Sequence, residues 1–183
     1  MLRLGARNMA GATSIAAPGY KADDGPCGMH ADKVQTYGLD NNMAFPSNTL
    51  AGASYNRELA VELGEAFAME IMAVERVQTY GTAVNIHRSA YSGRNWEYYS
   101  EDGFLTGEMG TEVNRGLSQN GIILCTKHFA LNDQEVNRAG VTVWANEQSI
   151  RELYVKGFEK GVTEGVTNCI MSSFNRIGCT WAG

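Results

Sequence analysis

The sequence predicts an α/β fold: a partial TIM-type (β/α) barrel of about four to five parallel strands with covering helices. Three observations predict it. Segments with helical period alternate with short strand-like runs. The strand-like runs are apolar along their length, as in strands buried on both faces. Polar clusters follow the C-terminal ends of those runs, at the edge where loops of parallel α/β folds converge on a ligand. The runs start near residues 77, 121 and 168, about 45 residues apart, so eight such units need well over 300 residues. The 183 residues are therefore expected to form one domain, residues 1–183, matching the front part of a barrel.

Each element has its own signal. Residues 56–74 place Leu59, Leu63, Phe67 and Ile71 four apart on one face, with Ser54 or Asn56 to cap the start and Glu58 in the first turn. A helix is expected there. Residues 76–81, RVQTYG, are β-prone and lead into a long polar loop that runs to about Asp102. A second helix is expected over residues 105–119, followed by the strand GIILCT at 121–126. A third helix, residues 147–163, should bury Ile150, Leu153, Tyr154, Val155 and Phe158 before the strand NCIMSS at 168–173. Upstream, APGYKADDG and NTLAGASY can each hold one more short strand.

Composition narrows the function. With 44% hydrophobic and 19% charged residues, the chain suits a soluble globular domain with one sizeable core. A net charge of -5 without a Lys/Arg cluster argues against nucleic acid and membrane as partners and favours a neutral ligand. No apolar run reaches the roughly 18 to 20 residues of a membrane span, and the N-terminus is too weakly apolar for a signal peptide. A cytoplasmic location is expected. Cys27, Cys125, Cys169 and Cys179 show no CxxC spacing, and two lie inside the apolar runs IILC and NCIM. They are expected to be buried free thiols; neither a metal nor a cofactor is expected.

The stretch TKHFALNDQEVNRAG, residues 126–140, crowds Lys127, His128, Asn132, Asp133, Glu135, Asn137 and Arg138 behind a strand. A turn needs fewer polar groups than that. The motifs DDGPCG, AFPSNTLAGASYN, VNIHRSAYSGRNWEYYSED, KHFALNDQEVNR and IMSSFNRIG occur in the order and spacing of one family. From about Gly19 onward the chain resembles the N-terminal catalytic domain of glycoside hydrolase family 3, the family of many β-glucosidases.

The resemblance implies a set of site residues. Asp24, the acid of the DGP turn, would bind hydroxyls of the sugar at the non-reducing end, as a carboxylate accepting charge-assisted hydrogen bonds. Arg94, Lys127 and His128 would contact the same sugar, Arg138 would close the site, and Met171 and Phe174 would complete the substrate-binding set. By itself, Asp24 beside Gly25 and Pro26 also reads as turn chemistry. Arg94 alone also reads as an ion-paired surface residue. His87 is expected to be a structural hydrogen-bonder. Glu97, Glu101, Asp102, Asp133 and Glu135 are expected to orient Arg94, Lys127 and the neighbouring loops. Trp96, Tyr98 and Tyr99 are expected to pack rather than to stack on sugar.

Two departures from the family pattern bear on activity. Many members have tyrosine where Phe174 stands, and a phenyl ring packs but donates nothing. The family's nucleophilic aspartate lies on the strand after MSSFN, and the general acid later still, so no catalytic residue is expected within this chain. The implied reaction is retaining hydrolysis of a terminal β-linked glucose, or of a short oligosaccharide, through a covalent glycosyl-aspartate. β-Xylosidase or exo-β-glucanase specificity, and a non-catalytic sugar-binding fragment or degenerate relative, are the alternatives. The β-N-acetylglucosaminidase branch fits less well, because it carries KHFPGHG where this chain reads KHFALND. Strands left without neighbours should make the chain associate with itself or with a complementary barrel half.

Overall fold

A cap and a run of small and apolar residues start the first long helix of the computed structural model, whose described residues are 8–9, 14, 19–25, 27–29 and 43–183. In chain order the elements begin with β1 (Asn8–Met9), β2 (Tyr20–Asp23), α1 (Asn48–Ala53), α2 (Arg57–Ala73) and β3 (Gln78–Thr79). After a long loop come α3 (Gly103–Gln119), β4 (Ile123–Phe129), β5 (Thr142–Val143) and α4 (Glu147–Ser149). A π turn (Ile150–Tyr154) joins α4 to α5 (Lys156–Thr163), followed by β6 (Cys169–Ser172), β7 (Arg176–Ile177) and β8 (Thr180–Trp181).

The main sheet has the order β1-β2-β3-β4-β6. Four of its strands, β2, β3, β4 and β6, run parallel, and β1 is antiparallel at the edge. This is the expected wall of parallel strands, with helices between them in sequence. The core between sheet and helices holds Phe67, Ile71, Met109, Val113, Leu117, Leu124 and Phe158. A small second sheet, β5-β7-β8, was not foreseen, because strands of two residues carry no readable period. No described helix is long and apolar enough to cross a membrane.

The structure corrects several expectations. NTLAGASY is not a strand: Ser47 caps helix α1, its side chain accepting from the Leu50 amide, and the Leu and Ala that follow are good helix formers. The cap of α2 is Asn56, which accepts from Leu59 N. Leu59 is 48% exposed and Leu63 only partly buried, because α2 turns Ala60, Gly64, Phe67, Ala68 and Ile71 inward instead. Leu153 is 42% exposed although Tyr154 and Phe158 are buried. Both Leu153 and Tyr154 lie within the π turn, whose wider winding shifts side chains around the helix in a way a uniform period of 3.6 cannot anticipate. Cys125 and Cys169 are buried free thiols as expected, whereas Cys179 is exposed and Cys27 half-buried.

The inward face of α2 explains why helices cross so closely here. A Cβ on Gly64 would sit 2.2 Å from the Val113 carbonyl oxygen, and one on Gly116 would sit 2.1 Å from that of Val61. Backbone lies against backbone at this crossing. Gly116→Ala should therefore force α2 and α3 apart and cost about 2 to 3 kcal/mol, at the upper end of overpacking. Urea unfolding measures it, and a variant with an unchanged midpoint would contradict the close crossing.

Candidate functional site

The site lies where β2, β3, β4 and β6 end. Asp24 follows β2, Lys127 and His128 lie near the C-terminal end of β4, and Phe174 follows β6 by two residues. The polypeptide irregularity at this edge is local: the pairing of β4 with β6 shifts register between Thr126 and Phe129, and the Lys127–His128 and Phe129–Ala130 peptides are cis. Between β3 and α3 the loop is built on internal bonds. His87 Nε2 donates to the carbonyls of Asn95 (2.8 Å) and Tyr98 (2.9 Å), the structural role expected of it. Asn48, at the start of α1, donates to the Glu97 carbonyl at 2.7 Å.

A chain of charges runs through the loops so positioned. Lys127 is 2% exposed, and its Nζ lies 2.5 Å from Asp24 Oδ1 and 2.8 Å from Glu97 Oε1. Glu97, equally buried, accepts from Arg94 Nε at 2.5 Å through its other oxygen. Arg94 Nη1 reaches Glu135 Oε1 at 3.2 Å, and Arg138 Nη1 reaches Glu135 Oε2 at 3.3 Å. The Arg138 guanidinium lies 4.2 Å above the Phe174 ring centroid. Three carboxylates, Asp24, Glu97 and Glu135, thus meet three cations, Lys127, Arg94 and Arg138. Their charges cancel.

His128 is set by a second network. Asn132 Nδ2 donates to the Tyr98 hydroxyl at 2.9 Å, so the hydroxyl's own proton is free for His128 Nδ1, 3.1 Å away. An imidazole that accepts at Nδ1 carries its proton on Nε2, and Nε2 has no partner among the described residues. Burial, reinforced by the charges of Lys127, Arg94 and Arg138, holds the His128 pKa down at about 2, so the ring is neutral at ordinary pH. Burial and the Glu97 charge push the Tyr98 hydroxyl up to about 12, keeping it a donor.

A pocket of about 340 Å³ is lined by Asp24, Tyr80, Arg94, His128, Arg138, Met171 and Phe174. Of the residues expected at the site, Lys127 is absent from this lining. Its ammonium is turned toward Asp24 and Glu97, and it lines an adjoining hollow of about 300 Å³ with Cys27, Trp96 and Glu97. Sequence reading missed Tyr80, since an aromatic at a strand end looks like core. Tyr98 and Tyr99 are buried packing residues, as expected, while Trp96 is half exposed. Glu97 and Glu135 orient Arg94 and Lys127 as expected. Asp133 instead serves a loop, accepting from Arg88 (3.0 Å) and the Tyr154 hydroxyl (3.1 Å). Asp102 caps α3 by accepting from Leu105 N. Among the described carboxylates, Asp24 alone lines the pocket. No described group of His, Cys, Asp and Glu is arranged to hold a metal ion.

Parallel strands covered by helices, with a polar pocket at the strand ends, define an α/β barrel-type domain, and that edge is where folds of this class hold their ligands. The profile of the glycosyl hydrolase family 3 N-terminal domain matches residues 24–180, and the chain belongs to that family. It is 36% identical over 167 residues to a β-glucosidase of Ruminococcus albus, covering 91% of this chain and 17% of the relative. It is 34% identical over 176 residues to an exo-α-(1→6)-L-arabinopyranosidase of Bifidobacterium longum, covering 93% and 23%. The structure of β-glucosidase 3B from Thermotoga neapolitana in complex with glucose superposes with a TM-score of 0.87 at 32% identity, covering 96% of this chain and 25% of that one. The chain thus spans about a fifth of the length of the curated relatives it matches.

The neutrality of His128 has a measurable consequence. Unfolding releases the ring to its ordinary pKa of 6.5, so below that pH the unfolded chain binds a proton that the folded chain refuses. Stability must then fall as pH drops from about 6.5 toward 5, by up to about 1.4 kcal/mol per pH unit from this residue. Asp133, whose carboxyl burial raises, acts in the opposite sense, so the histidine is isolated by comparing two chains that share Asp133 and differ at residue 128. Urea titrations at several pH values should show a flatter profile for His128→Gln. Equal slopes in the two chains would contradict a buried neutral imidazole.

Proposed function

We propose that this chain carries the sugar-recognition part of a retaining glycoside hydrolase acting on terminal, non-reducing β-D-glucosyl groups. The observation that carries the reading is the charge-balanced pocket. A wall whose charges are balanced by the ion pairs behind it, and which offers fixed donors and acceptors, suits a neutral polyol, whose hydroxyls need hydrogen bonds in several directions but no counter-charge. In this reading the Asp24 carboxylate accepts from sugar hydroxyls, Arg94 and His128 Nε2–H donate to them, and Tyr80, Met171 and Phe174 pack on the ring. Lys127 acts from behind, holding the Asp24 carboxylate in place through their ion pair.

Retaining hydrolysis needs two carboxyl groups about 5 to 5.5 Å apart across the scissile bond. Asp24 is tied to Lys127, so we assign it to hydroxyl binding rather than attack. The β-glucosidase relatives support glucose as the sugar. The arabinopyranosidase relative favours a second reading, a pentopyranose, which lacks the hydroxymethyl group of glucose. Parallel calorimetric titrations with glucose and L-arabinose separate the two.

Glucose should bind the 183-residue chain, and Arg94→Ala or His128→Ala should weaken it at least about tenfold, roughly 1.4 kcal/mol. Asp24→Asn should weaken binding while the chain still folds, since asparagine keeps the turn and Glu97 still faces Lys127. In a complete family enzyme carrying this segment, alanine at Arg94, Lys127 or His128 should lower kcat/KM about 100-fold, roughly 2.7 kcal/mol. Losses below threefold at all three positions would sink the assignment.

We also propose that the 183-residue chain pairs with a second copy or a complementary barrel segment through the free edge of β6, which has one neighbour among the described strands. Sedimentation should show a species larger than a monomer; a compact monomer at micromolar concentration contradicts it.

A further inference from the structure

Beneath the pocket lies a pair of thiols that sugar binding does not use. Cys125 on β4 and Cys169 on β6 are direct partners in the parallel ladder. Partners in a parallel pair present their side chains to the same face, and neighbouring strands lie about 4.8 Å apart, within the Cα separations that disulfides span. The two Sγ atoms are 2.7 Å apart. Both residues are buried, and both cysteines are free thiols. They form one cluster with Ala22, Tyr80 and Met171, and the last two also line the pocket. The floor of the pocket is thus the layer between solvent and the thiols.

We propose that Cys125 and Cys169 are a reversible oxidation site, closing to a disulfide that staples β4 to β6 under the pocket. The oxidant is a small-molecule disulfide. One thiolate attacks it, forming a mixed disulfide and releasing one small thiolate; the second protein thiolate then attacks the bound sulfur of its neighbour and releases the other. Two protein S–H bonds are lost, one S–S bond forms, and the small disulfide is reduced to two thiols. Cys169 is the first nucleophile: the hydrogen bond from Cys125 holds its pKa below the ordinary value, while Cys125 is held above it by that bond and by burial. The remaining cysteines, Cys27 and Cys179, stand elsewhere in the fold and belong to no such pair.

The inference does not rest on the sugar reading, and its test needs no sugar. The reduced 183-residue chain is incubated with oxidised glutathione, blocked with iodoacetamide in denaturant, digested without reductant and mapped by mass spectrometry. The expected result is one peptide pair linked through Cys125 and Cys169, lost on dithiothreitol treatment, with Cys27 and Cys179 carrying glutathione or the alkyl group. Cys27→Ser/Cys179→Ser should give the same linked pair at the same rate within twofold. Recovery of Cys125 and Cys169 singly alkylated, or each carrying glutathione without a link, overturns the proposal. So does a link that forms only after denaturation.

Discussion

Lys127 is the constraint around which the site is arranged. An ammonium buried to this degree is stable only when its charge is met at close range, and Lys127 meets two carboxylates, Asp24 and Glu97. Those acids come from separate loops, after β2 and after β3, so one side chain on β4 ties three strand ends together. Glu97 passes the constraint on to Arg94, and Glu135 passes it to Arg138. Removing any inner member leaves an unmatched charge in a dry setting, which is worse than never having placed the pair there. The loops are accordingly fixed before any ligand arrives.

The scaffold holds that edge by packing on its other side. α2 and α3 cross with glycine against backbone, which draws both helices onto the sheet and buries Phe67, Ile71, Val113 and Leu117 between them. Asn114 on α3 donates to Thr126 on β4 at 3.1 Å, one residue before Lys127. A displacement of the helix layer therefore reaches the charged cluster through a single hydrogen bond and one peptide.

Much of this was legible in the sequence, for identifiable reasons. α2, α3, β4 and β6 announce themselves by period or by continuous apolar character, because each buries a large face. α1 did not, since six residues behind a serine cap resemble a short strand as much as a turn of helix. The outward turn of Leu153 follows from the π turn, and the exposure of Leu59 from small residues taking the packing face; neither is encoded in hydrophobicity. At the site, Asp24, Arg94, His128, Arg138, Met171 and Phe174 were readable through the family motifs that carry them, not from their residue types alone, and the structure brings them around one pocket. The placement of Lys127 behind Asp24, the contribution of Tyr80 and the hub position of Glu97 were not readable. Each depends on which way a side chain turns once three loops have met.

The cancellation of charge around the pocket reaches beyond the choice of a neutral ligand. Because the ion pairs close on one another and only Lys127, Glu97 and Arg94 are held away from water, the site presents little net field for dissolved salt to screen. A phosphorylated or carboxylated sugar gains no long-range attraction there, and its charge meets partners already engaged. In the proposed reading, discrimination falls instead to the count and direction of hydrogen bonds, with Asp24 accepting them and His128 Nε2–H donating one. On the proposed reading, such a pocket would tell ligands apart by stereochemistry, with little dependence on ionic strength.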